Sequence, residues 1–100
     1  MSETVRVAVM QTAPVIFNKD ATIEKMARLV PEATKAGAKL VLFPEAFIPC
    51  YPRGMSFGSN VGKRTDAGRK DFRLYYENSV AIPGPDCDKL AAIAAQNEVY

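Results

Sequence analysis

A chain of 100 residues, 48% hydrophobic and 24% charged, has the composition of one small globular domain, which excludes the disordered and membrane-spanning classes. The net charge is only +2 and there is no histidine, so Ser-His-Asp, Cys-His and other histidine-based schemes are excluded within the chain. The opening Met1 to Arg6 lacks a basic region followed by a long apolar stretch, and no run approaches the roughly 18 apolar residues of a membrane span, so a cytoplasmic protein is expected.

Val5, Val7 and Val9 alternate with Arg6 and Ala8, which predicts a first strand running to about Met10 and ended by Gln11-Thr12-Ala13-Pro14. From Asn18 or Asp20, either of which suits an N-cap, Ile23, Met26, Ala27, Val30 and Ala33 follow helical spacing as far as Gly37, a natural C-terminal stop. Pro31 is out of place in that helix, since it removes a backbone hydrogen bond at a cost of about 3 kcal/mol, and it predicts a kink or break. Lys39 to Phe43 reads as a second strand, apolar on both faces, as in a central strand covered by helices on one side and another layer on the other. Strand, helix, strand in this order predicts a parallel unit of an α/β fold.

Leu40-Val41-Leu42-Phe43 then runs directly into Pro44-Glu45. A strand end that meets loops is where α/β folds gather reactive side chains. An acid flanked by Phe43, Ala46, Phe47 and Ile48 is expected to be poorly solvated, the condition that suits a working general base, and Glu45 reads as catalytic. The alternative is a buried structural acid.

Pro49 to about Thr65, with Pro52, Gly54, Gly58 and Gly62, reads as a long functional loop. Arg53, Lys63, Arg64, Arg69, Lys70 and Arg73 form a basic stretch opposed only by Asp66 and Asp71. Without interleaved aromatics or a recognisable module it reads as a solvated surface or subunit contact, not as a nucleic-acid site. The glycines do not make a phosphate loop, because Phe57 and Arg64 occupy the required glycine and hydroxyl positions.

Asp66 to Asn78 is a predicted helix whose inward face includes Phe72 and Tyr75 or Tyr76, weakened by Gly68. Val80-Ala81-Ile82 is too short to assign. Pro83-Gly84-Pro85 is a rigid turn, and Asp86 is placed to cap a last helix with Leu90, Ile93 and Ala94 as its buried stripe and Asn97 at its end. Val99-Tyr100 falls where the next strand is expected, so the reading is of a truncated chain.

The stretch Phe43-Pro44-Glu45-Ala46-Phe47-Ile48-Pro49-Cys50-Tyr51-Pro52-Arg53-Gly54 resembles the general-base signature of the nitrilase branch of the carbon-nitrogen hydrolase superfamily. The resemblance extends to Val5 to Pro14, to Gly37-Ala38-Lys39-Leu40 and to Val80 to Pro85, and so covers essentially the whole chain. It implies the amino-terminal part, residues 1–100, of a single domain built as a four-layer α-β-β-α sandwich, with the carboxy-terminal remainder absent. It also implies a Glu-Lys-Cys constellation acting on a small-molecule nitrile with no cofactor and no metal, in a protein that associates into dimers and longer spirals, with no nucleic-acid or membrane partner.

Only Glu45 stands in a matching catalytic motif. The family's lysine and cysteine fall beyond Tyr100, and Lys39 and Lys63 do not match the lysine motif. Cys50 lies five residues after Glu45 in a loop where family members tend to carry a small residue, with nothing nearby to favour its thiolate. Cys87 is at a helix start between Asp86 and Asp88 and reads as inert; the two cysteines imply no disulfide framework and, without histidine, no common zinc site. Tyr51 reads as a substrate contact or as packing against Pro52. Nitrile hydrolysis is the activity implied for the complete protein, with these 100 residues inactive alone; the alternatives are an amidase or carbamoylase of the same superfamily, or a noncatalytic interaction protein.

Overall fold

In the computed structural model, residues 3–52 and 65–100 are described. They form β1 (Val7–Val9), α1 (Lys19–Lys35), β2 (Leu40–Leu42), α2 (Asp66–Glu77) and α3 (Pro85–Gln96). The strands pair in parallel with Val7 opposite Leu40 and Val9 opposite Leu42. Backbone bonds from Lys39 N to Arg6 O and from Met10 N to Leu42 O carry the pairing one residue past each end. The expected parallel unit is present, with α1 as its crossover.

The backbone of Tyr100 bonds to the other edge of β2. Its N–H donates to Lys39 O at 3.0 Å, and its carbonyl accepts from Val41 N–H at 2.8 Å. One residue held between positions 39 and 41 of its neighbour is the pattern of a parallel ladder.

Alternation along a strand separates two faces. Val41 points toward α1 and α3, where it lines an apolar cavity of about 180 Å³ together with Met26, Val30, Phe43, Leu90 and Ile93. Val7, Val9, Leu40 and Leu42 occupy the opposite face and are 47%, 72%, 43% and 58% exposed. Their register makes one contiguous apolar surface. The expected second covering layer is therefore not supplied by the described residues.

Sequence punctuation fixes α1 at both ends. The Asn18 side chain accepts from Ala21 N–H at 3.1 Å, as an N-cap should. At the other end Gly37 has φ 94, Ala38 N–H donates to Ala33 O and Gly37 N–H to Thr34 O, the two bonds of a Schellman motif. Arg6 adds a third bond, from Nη1 to Ala36 O at 2.7 Å, tying β1 to the end of α1. The expected break at Pro31 is absent: one helix runs through it. Pro31 and Ala27, whose carbonyl loses its partner, both lie on the exposed side, while Val30 and Ala33 are buried and hold the helix to the body. Ala27 accordingly falls outside the buried stripe predicted for it.

Thr22 is completely buried and went unnoticed in the sequence pattern. Its hydroxyl accepts from Val15 N–H at 3.0 Å and reaches the Val15 and Asn18 carbonyls at 3.1 Å, which fastens the β1–α1 connection to the first turn of α1.

Two expectations about the later helices are corrected. In α2 Tyr75 faces inward as expected, with Gly68, Asp71, Leu74 and Asn78, but Phe72 is 54% exposed. The reason is the surface that α2 meets: Tyr75 packs edge-on against Phe17 with ring centroids 6.5 Å apart, and Asn78 Oδ1 accepts from Lys19 N–H. Phe72 instead stacks with Tyr76 one turn on, along the outer face. In α3 the N-cap is Gly84, not Asp86, and Pro85 takes the first helical position that suits it. Space demands glycine at 84, because a Cβ there would stand 2.8 Å from the Ala81 carbonyl oxygen. The predicted stripe of Leu90, Ile93 and Ala94 does face inward, half-buried, and Asn97 is the C-cap.

Freed from capping, Asp86 forms an ion pair with Lys19 at 2.8 Å that joins α3 to α1. The hydrogen bond that Lys19 donates to Asp86 raises the lysine ammonium above its ordinary value of 10.5, against a smaller opposing effect of desolvation. A lysine raised by folding contributes stability in full below its unfolded value and loses it as pH rises through the folded one. The urea midpoint of the parent is thus expected to fall above pH 10.5 by more than that of Lys19→Met. Parallel profiles for the two proteins over that range would count against the clasp.

Candidate functional site

The end of β2 delivers the chain into a tight reversal. After Leu42, Phe43 and Pro44 lead to a turn over residues 45–49. Pro44 disfavours helical backbone at Phe43 and so keeps the strand extended up to the turn. Ala46 has φ 50, in the left-handed region, and sends Phe47 back onto Phe43 with ring centroids 5.3 Å apart. Phe47 is 6% exposed and Cys50 2%, and Pro49 between them is buried as well, so the reversal is pinned by buried side chains.

Glu45 is the first residue of that turn. It is exposed, which corrects the expectation of a poorly solvated acid. The apolar neighbours that suggested burial bury one another, Phe47 against Phe43, and leave the carboxylate in solvent. Among the described residues it forms no ion pair. The arrangement offers one free carboxylate at the carboxyl end of a parallel strand, able to accept and return a proton.

Both cysteines are free thiols. Burial pushes the Cys50 thiol up, which opposes the thiolate that attack requires. Cys87 is half-buried in the first turn of α3, remote from β2 in the element order. We expect a thiol reagent to label Cys87 in the native chain well before Cys50, with Cys50 reacting only after denaturant is added. Peptide mass mapping checks this, and prompt native labelling at Cys50 would contradict its buried placement.

Tyr51 is 60% exposed just after the turn. Arg53, Gly54, Gly58, Gly62, Lys63 and Arg64 lie outside the described residues. Of the basic stretch, Arg69, Lys70 and Arg73 are on the exposed side of α2, with Arg73 paired to Glu77 at 3.2 Å. Lys39 is exposed at the start of β2. None of the described helices is long and apolar enough to cross a membrane.

The family profile described as Carbon-nitrogen hydrolase matches residues 6–100. The chain belongs to the carbon-nitrogen hydrolase family. Within it, this chain is 46% identical over 97 residues to a bifunctional nitrilase/nitrile hydratase of Lupinus angustifolius, covering 97% of the chain and 28% of that relative. A bifunctional nitrilase/nitrile hydratase of Nicotiana tabacum matches at 46% over 97 residues, with the same coverage. Nitrilase 3 of Arabidopsis thaliana matches at 46% over 99 residues, covering 99% of the chain and 29% of the relative. The resemblance to the nitrilase branch is thereby upheld. The chain spans less than a third of the length of these curated relatives.

The left-handed backbone of Ala46 is the feature of this turn that the sequence does not signal. Alanine carries no signal for left-handed backbone, which glycine or asparagine would have given.

Proposed function

We propose that the complete protein is a nitrilase, converting an organic nitrile to a carboxylic acid and ammonia, with Glu45 as general base. The observation that carries this reading is Glu45, exposed at the start of the turn after β2 and without an ion pair among the described residues, in a chain 46% identical to proteins named as nitrilases. The 100 residues are the amino-terminal part of one domain. Its sheet packs face to face with a second one in an α-β-β-α sandwich, a reading supported by the bare apolar face of Val7, Val9, Leu40 and Leu42. The complete protein works in the cytoplasm as a homo-oligomer.

The chemistry explains why three groups are needed. A nitrile carbon is weakly electrophilic, and its nitrogen gathers charge as a thiolate adds. A cysteine thiolate of the complete protein bonds to that carbon while the nitrogen takes a proton, giving a thioimidate. Glu45 takes a proton from a first water, which adds to the same carbon, and passes it to the nitrogen; the new hydroxyl then gives up its proton to the nitrogen as ammonia leaves, and a thioester remains. A second water, deprotonated in the same way, releases the acid and the thiol. A fixed lysine stabilises the anionic intermediate. Neither Cys50 nor Cys87 serves as the nucleophile, so the 100-residue chain alone is inactive. Tyr51, exposed beside the turn, lines the approach to the nitrile.

Two of the relatives are named as nitrile hydratases as well as nitrilases, which favours a minor amide product from loss of the thiol in place of ammonia at the tetrahedral stage. Ammonia and amide release by the complete protein, measured on a panel of nitriles and on the matching amides, tests the reading. Turnover of nitriles upholds it; turnover of amides or carbamoyl compounds alone assigns the protein to another branch of the family.

A further inference from the structure

We propose that Ala46 is a positioning residue, whose left-handed backbone aims the Glu45 carboxylate at the reacting centre. The inference rests on the reading of Glu45 as general base. Three observations bear on it. Ala46 has φ 50, a conformation its Cβ disfavours. The residue after it, Phe47, is buried against Phe43, and Cys50 beyond is buried too. Glu45, immediately before it, is exposed with no ion pair among the described residues to orient it.

These facts divide the labour in the turn. Phe43 and β2 anchor it on one side, and Phe47 and Cys50 on the other. Only the backbone at 44–46 determines where the carboxylate goes. Returning Ala46 from φ 50 to ordinary helical backbone rotates the chain by roughly 110° about its N–Cα bond. With Phe47 held in the core, that rotation is taken up by Glu45. Strained backbone held in place by surrounding packing is a recurrent device for fixing a reactive group, and misplacement of a catalytic atom by about 1 Å can cost about a hundredfold in rate.

The test is steady-state kinetics of the complete protein on its best nitrile, with kcat expressed per folded enzyme, for Ala46→Val, Ala46→Asn, Ala46→Gly and Glu45→Gln. Valine resists positive φ, whereas asparagine and glycine accept it. Ala46→Val is expected to lose about tenfold or more in kcat with KM within about twofold, and asparagine and glycine to retain kcat within about threefold. Rescue by asparagine, which is bulkier than alanine, separates backbone conformation from side-chain size. A valine variant as active as the parent, or an asparagine variant as impaired as the valine one, overturns the proposal. If the valine variant does not fold, Ala46→Asn decides it: kcat within about threefold upholds the proposal and a tenfold loss overturns it. Full activity in Glu45→Gln overturns both this inference and the function it rests on. An inactive Glu45→Gln beside a fully active Ala46→Val overturns the positioning role alone.

Discussion

Glu45→Gln in the complete protein is expected to lower kcat on a nitrile by about 10² to 10⁴, the range lost when a positioned general base is removed. The change keeps the size and hydrogen-bonding shape of the side chain and removes only its ability to take a proton. In the 100-residue chain Glu45 is exposed and makes no ion pair among the described residues, so folding should be altered by less than about 0.5 kcal/mol. A loss confined to kcat, with the unfolding midpoint and KM kept, is the expected pattern. Undiminished turnover by the glutamine variant removes Glu45 from the chemistry.

The second large effect concerns the bare sheet face. Leu42 is 58% exposed and is paired with Val9, itself 72% exposed. In the 100-residue chain Leu42→Lys puts a charge where water already is, and should alter stability by less than about 0.5 kcal/mol while breaking up an apolar patch that promotes self-association. In the complete protein, with a second sheet packed on that face, the same lysine is buried without a partner. Its cost should then exceed about 4 kcal/mol, which is enough to unfold many domains. Sedimentation of the short chain and urea unfolding of the complete protein measure the two halves of this prediction. A complete protein that tolerates Leu42→Lys without loss contradicts the proposed α-β-β-α packing.

Much of this architecture is legible in the sequence. The alternation of Val5, Val7 and Val9, the 3.6-residue spacing from Ile23 to Ala33 and the punctuation by Asn18 and Gly37 are local signals, and local bonds satisfy them: the Asn18 cap and the Schellman motif at Gly37. What failed depended on partners distant in sequence. Phe72 and Tyr75 are equally plausible inward residues of α2, and only the positions of Phe17 and Lys19 select Tyr75 and Asn78. Asp86 is a good cap on paper, but Gly84 starts the helix earlier and Lys19 claims the carboxylate. Pro31 looked like a breaker because its cost is local, whereas the packing of Val30 and Ala33 that outweighs it is not.

At the site, the position of Glu45 at the end of a strand was legible from the apolar run that precedes it. Its solvation was not. Apolar flanking residues bury an acid only if they turn toward it, and here Phe43 and Phe47 turn toward each other. The positive φ of Ala46, which produces that geometry, has no counterpart in the residue type.

The most direct test of nitrile hydrolysis is the mass of the acid formed by the complete protein from a nitrile in ¹⁸O-enriched water. Successive addition of two waters to one carbon predicts a carboxylate with both oxygens labelled, released with ammonia and lost together with it in Glu45→Gln. Absence of any acid from nitriles, with single-labelled acid formed from amides, would contradict the account.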